Sequence, residues 1–168
     1  MIQFADQTVL IIAPHPDDEV FGCGGFISRV KREGGKVYVL YMSVGTTEDF
    51  SKKRISTRDE RLEEMKNVAA FLGFDGYRVA FAGEEYHLRL DAVPQRKIIH
   101  EIEQGNDISL ESLRPSIVIA PSVGDYNQDH KAVNEAMISA TRPVSPVYKS
   151  LQPVVLTFEL PYLSWTCD

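Results

Sequence analysis

Four ionisable side chains crowd into five positions of this chain: His15, Asp17, Asp18 and Glu19. His15 and Asp18 are close enough in sequence to converge on one ion if the backbone turns between them. An imidazole with a carboxylate suits zinc or another borderline metal. Asp17 is then left as a carboxylate beside the ion, able to take a proton from bound water. The plainer reading is that Asp17, Asp18 and Glu19 cap a helix, because acidic residues favour its positive end. Capping does not account for a histidine set between Pro14 and Pro16, so we read a metal site.

The elements that must hold these groups follow from the flanking residues. Val9 to Ala13 is an unbroken apolar run, the pattern of a strand buried on both faces. Pro14 and Pro16 end it, since neither can donate to a ladder. The charged cluster therefore stands just past the carboxyl end of a buried strand, where open α/β sheets bind ligands. The pattern recurs late in the chain. Pro115 to Pro121 reads as a buried strand ended by proline, followed by the polar run Ser122-Val-Gly-Asp-Tyr-Asn-Gln-Asp-His130 and a helix over Lys131 to about Thr141. In a parallel sheet both polar runs lie on one edge. His130 is then placed to be the third metal ligand. Asp129 either caps the helix or orients a ligand. Asp125 either orients a ligand or starts a turn.

Between the two motifs the chain alternates. Helices are expected over Val20 to Glu33, Thr57 to Leu72 and Ala92 to Glu103, with a short turn over Ser109 to Leu113. Strands are expected over Lys36 to Ser43, Tyr77 to Ala82 and Val154 to Glu159. Gly24 and Gly25, early in the first helix, imply a close backbone approach. Val44 to Ser56 is a polar loop that either roofs the site or lies free on the surface. Arg58 and Arg61 fall where a helix dipole disfavours cations, so one of them needs an anionic partner or ligand. Arg58 reads as an exposed arginine pairing with Glu64. His87, alone in a polar loop, reads as a solvated histidine. Pro143, Pro146 and Pro153 mark a further loop.

The 168 residues suit one domain with a real core. A net charge of −6 argues against a nucleic-acid partner, and Lys52-Lys53-Arg54 reads as a solvated face. No apolar run reaches the roughly 20 residues of a membrane span, and the first residues lack the shape of a signal peptide. Cys23 and Cys167 are the only cysteines; they make no disulfide framework, and a reducing cytoplasm fits them best.

The residues also carry a resemblance. Ala13-Pro-His-Pro-Asp-Asp-Glu19 with Gly22-Cys-Gly-Gly25 resembles the first signature of the PIG-L/LmbE-type zinc de-N-acetylases. Arg61 to Gly73 resembles that family's helix after the second strand, and Asp125-Tyr-Asn-Gln-Asp-His130 resembles its second signature. The resemblance implies an α/β fold: a Rossmann-like three-layer sandwich around a mostly parallel sheet, one domain over residues 1–168. It implies hydrolysis of an N-acetyl group on N-acetylglucosamine or a glycoconjugate, with Zn2+ held by His15, Asp18 and His130. Asp17 matches the general base, and Arg61 a substrate-contacting arginine.

The sequence departs from the family pattern twice. Asn127 stands where many members have a histidine that supports the oxyanion; its amide can donate a hydrogen bond but cannot protonate the leaving amine. Members also usually continue further, so the chain is read as a compact variant or one lacking a C-terminal part, whose cleft subunit contacts in a homo-oligomer would complete. Two competing functions remain: a weak or silent sugar-binding member, and a metal-dependent hydrolase of another amide. A third reading is a nucleotide-binding Rossmann module; against it count the spacing of Gly22-Cys-Gly-Gly25, which is not Gly-x-Gly-x-x-Gly, and the four acidic or imidazole groups where phosphate would sit.

Overall fold

The structure, a computed structural model, describes residues 3–49, 54–144, 152 and 154–160. The strands are β1 (Thr8–Ala13), β2 (Lys36–Ser43), β3 (Thr47–Asp49), β4 (Arg54–Ser56), β5 (Gly76–Phe81), β6 (Ile117–Pro121) and β7 (Val154–Phe158). The helices are α1 (Asp18–Arg32), α2 (Arg58–Leu72), α3 (Gln95–Gln104), α4 (Leu110–Leu113) and α5 (Gln128–Thr141). Five strands form one sheet in the order β5-β2-β1-β6-β7, and every pair in it is parallel.

The apolar run of β1 is explained by its place between β2 and β6. Leu10 and Ile12 face one core with Leu40, Met42 and Val118, closed by Ile98 and Ile102 of α3 and Val133 and Met137 of α5. Val9, Ile11 and Ala13 face the other, with Val37, Val39 and Ile119, closed by Cys23, Ile27 and Val30 of α1 and Met65 of α2. Successive residues point to opposite faces, so a strand covered by helices on both sides is apolar throughout. The result is three layers. The strand order reverses between β1 and β6, and that switch point opens a crevice at the carboxyl ends of the two strands.

Local signals set several boundaries. Thr57 caps α2: its hydroxyl accepts from the Glu60 amide at 3.3 Å while Glu60 accepts from the Thr57 amide at 2.8 Å. Gly73, at φ 71°, ends it. Asn127, not Asp129, caps α5, accepting from the amides of Asp129 at 2.9 Å and His130 at 3.4 Å. That cap starts α5 at Gln128 rather than Lys131. Pro94 delays α3 to Gln95, and a 3-10 turn fills Leu90–Ala92 before it.

Other expectations needed correction. The polar loop after β2 contains a small antiparallel hairpin, β3 with β4, invisible as a pattern because each strand has only three residues. Gly24 and Gly25 have no backbone crowding them; the close neighbour is at Gly22, where an added Cβ would lie 2.3 Å from the ring of Phe158. Cys23 is buried in the core, and burial pushes its thiol up to about 12. β7 stops at Phe158, leaving Glu159 exposed beyond it. Cys167, Pro146, Pro153, Lys52 and Lys53 lie outside the described residues. Among the described residues no helix is long and apolar enough to cross a membrane.

Candidate metal centre and active site

The two strand-end motifs meet at the switch point. His15 follows β1, Asp18 opens α1 and His130 lies in the first turn of α5. One ligand atom from each lies within 4.8 Å of the others, and all three residues are buried. Oδ2 of Asp18 sits between the imidazoles, 3.5 Å from Nδ1 of His15 and 3.2 Å from Nε2 of His130. The same oxygen accepts from the His15 amide at 2.9 Å, which fixes the turn joining the pair.

The second nitrogen of each imidazole is held by a carboxylate. Nε2 of His15 lies 2.8 Å from Oδ2 of Asp129, and Nδ1 of His130 lies 2.6 Å from Oδ2 of Asp125. Such partners fix the tautomer and ring orientation of metal-binding histidines. Oδ1 of Asp129 also accepts from the Leu90 amide at 2.9 Å, tying the loop after β5 to the centre. Three carboxylates thus face two imidazoles in a buried cluster, an excess of negative charge that a divalent cation would balance. Two imidazole nitrogens and one carboxylate oxygen are donors suited to zinc. The residues therefore fit the metal.

Charges follow this geometry. Burial pulls His15 down, but the hydrogen bonds to Asp129 and Asp18 outweigh it and raise its pKa to about 9. Burial pushes Asp18 up, but the hydrogen bonds from His130 and His15 hold it well below the usual carboxylate range.

Asp17 occupies the position before α1 with φ 101°, a left-handed conformation rare for a non-glycine residue. It makes no side-chain cap hydrogen bond, so the capping reading fails for it. Its carboxylate is half-exposed and 3.0 Å from Nη2 of Arg61. Burial raises its pKa, with the Arg61 charge opposing. Arg61 reaches over from the first turn of α2, also donating to the Pro16 carbonyl and, at 3.0 Å, to Glu64. Glu64 therefore pairs with Arg61, not Arg58. Arg58 is half-buried, and its Nε has no partner among the described residues.

Two groups escaped the sequence reading. Glu19 is buried, accepting from the Tyr41 hydroxyl at 2.8 Å and the Asp17 amide at 3.0 Å; burial lifts its pKa to about 7. It holds the strained Asp17 peptide from behind. His87 is buried, with its ring edge-on to His15 at 5.4 Å between centres. Nothing around it in sequence marks it, but it follows β5, whose carboxyl end lies on the same rim.

The chain matches the family model described as PIG-L, GlcNAc-PI de-N-acetylase, over residues 10–141. It is 28% identical to the Escherichia coli K12 protein named uncharacterized deacetylase YaiS, over 91% of this chain and 74% of that one. The conserved protein TT1542 from Thermus thermophilus superposes with a TM-score of 0.64 at 27% identity, covering 91% of this chain and 66% of that one. The N,N'-diacetylchitobiose deacetylase from Pyrococcus horikoshii superposes with a TM-score of 0.58 at 25% identity, covering 80% of this chain. This chain spans only 49% of that archaeal enzyme. With a match running from β1 to the end of α5, and with relatives named as deacetylases, the chain belongs to the PIG-L family.

Proposed function

We propose that this protein is a zinc-dependent de-N-acetylase acting on an N-acetylglucosamine-like sugar or a small glycoconjugate, releasing acetate and a free amine. The observation that carries this reading is the buried convergence of His15, Asp18 and His130 beside the strained carboxylate of Asp17. The name of the Pyrococcus relative supports a small acetylated amino sugar as substrate. The two-cysteine composition supports a reducing, cytoplasmic setting.

His15 through Nδ1, Asp18 and His130 through Nε2 would hold the zinc, which supplies Lewis acidity toward an acyl oxygen and toward water. Asp17 is the base: it takes a proton from the attacking water and returns it to the amine nitrogen as the C–N bond breaks. Water and amide thus become acetic acid and amine, which ionise to acetate and ammonium, with no net proton left on the protein. Arg61 anchors the Asp17 carboxylate and offers its remaining surface to the substrate. Asn127, whose carbonyl oxygen is engaged with α5, has its amide NH2 to donate toward the acyl oxygen, where charge builds up. Asp125 and Asp129 hold the two imidazoles.

That engagement of Asn127 also favours a second reading, a catalytically weak sugar-binding member. Acetate release from a panel of N-acetyl-hexosamine compounds, with and without added zinc, separates the two. Zinc-dependent release supports the enzyme. Sugar binding with no release on any compound supports the silent member, and release only from non-sugar acetamides moves the substrate class.

A further inference from the structure

His87 has no task in the scheme above, yet it is built into the site. It is nine-tenths buried, and its Nε2 lies 3.0 Å from Oγ1 of Thr47 at the start of β3. Its ring stands at 86° to that of His15. Its seat is shaped for it: a Cβ at Gly45 would lie 2.5 Å from the Cβ of His87 and 2.6 Å from its Cγ. The other ring nitrogen, Nδ1, is buried with no hydrogen-bond partner among the described residues. A buried polar atom left unpaired is costly, so this nitrogen calls for a partner. A neutral imidazole carries one proton: either Nε2–H donates to Oγ1 of Thr47, or the Thr47 hydroxyl donates to Nε2 and the ring proton sits on Nδ1.

We propose that His87 is a further catalytic residue: Nδ1–H donates a hydrogen bond to the acyl oxygen of the substrate, alongside the amide of Asn127. The inference rests on the deacetylase reading. No proton is transferred; the hydrogen bond strengthens as the carbonyl oxygen gains charge and weakens as the carbonyl re-forms. The hairpin then has a role as well, since Thr47 at its base sets the tautomer.

The test uses the zinc-loaded full chain. Long-range 1H–15N spectra, with the His87→Phe variant for assignment, should show His87 as the neutral Nδ1–H tautomer. Acetohydroxamate, a small carbonyl-bearing zinc ligand, should shift that resonance downfield. His87→Phe, which keeps a ring against His15, should lower kcat about 100-fold, the scale of losing one oxyanion donor. KM and zinc content should hold, and His87→Gln should recover part of the loss. An Nε2–H tautomer, a resonance unmoved by acetohydroxamate, or a zinc-loaded His87→Phe with unchanged kcat each overturns the proposal. Should both variants fail to fold, judged by circular dichroism, the wild-type spectra, assigned through a Thr47→Val variant, decide it. A wild-type protein that releases no acetate sinks the deacetylase reading, while the spectra still decide what His87 does.

Discussion

Oδ2 of Asp129 lies 2.8 Å from Nε2 of His15, and both side chains are buried. This bond keeps a proton on Nε2, so Nδ1 of His15, the atom facing Asp18, is the nitrogen an ion would bind once its own proton is displaced. Asp129→Asn keeps the acceptor for the Leu90 amide but turns an NH2 group toward Nε2. The imidazole must then place its proton on Nδ1, where it blocks ligation. Zinc affinity, measured by chelator competition, should fall at least 10- to 100-fold, about the scale for losing such a carboxylate partner. Asp125→Asn should act in the same way through Nδ1 of His130.

His15 is raised to about 9 in the metal-free protein, so at pH 7.5 it carries a proton that zinc must displace. Zinc binding should therefore release about one proton from this histidine. Calorimetry in buffers of different ionisation enthalpy measures it. Release should fade as the pH approaches 10; a proton count that stays flat from pH 7 to 10 contradicts the assignment.

The same shift governs the stability of the metal-free chain. A histidine whose folded pKa exceeds its unfolded value stabilises the fold below the unfolded pKa, and the contribution is lost as pH rises through the folded one. For His15 the window runs from 6.5 to about 9. Above pH 7, Glu19 and His87 have passed their own midpoints near 7 and 4. Urea unfolding in the presence of a chelator should show a loss of about 2 kcal/mol between pH 7 and 9. Saturating zinc should reverse that trend, since binding to the folded state adds stability.

Asp17→Asn tests the base. Asparagine tolerates a left-handed backbone, so the turn at φ 101° should survive. Turnover should fall by at least about 100-fold, the low end for losing a general base, with zinc content unchanged. Loss of the zinc would make Asp17 a ligand instead.

Much of this site was legible because strand-ending prolines and charged residues are local signals. Pro14, Pro16 and Pro121 placed the two motifs at strand ends, and parallel topology put them on one rim. What escaped depends on contacts distant in sequence. His87 looks like any loop histidine until β5 is known to sit two strands from β1 on the same rim. Glu19 looks like a helix cap until Tyr41 of β2 is found against it. Asn127 and Asp129 are both good cap residues, and only the fold shows that Asp129 is drawn to His15 instead. The glycines misled for the same reason, since the neighbour crowding Gly22 comes from β7, at the far end of the described chain.

That last contact gives a prediction on stability alone. Gly22→Ala forces a methyl into the ring of Phe158, which is itself buried. The cost should be about 1–3 kcal/mol, the usual range for overpacking, read as a lower midpoint in chemical denaturation. Gly25→Ala, where nothing lies within 4 Å of the added carbon, should be neutral or stabilising, because alanine is the better helix former.

The most direct measurement is anomalous diffraction at the zinc edge from crystals of the zinc-loaded protein. One strong peak is expected at about 2.0–2.2 Å from Nδ1 of His15, a carboxylate oxygen of Asp18 and Nε2 of His130, the bond lengths of such ligands. A crystal whose zinc lies elsewhere, with those three side chains bonded only to one another, would contradict the account.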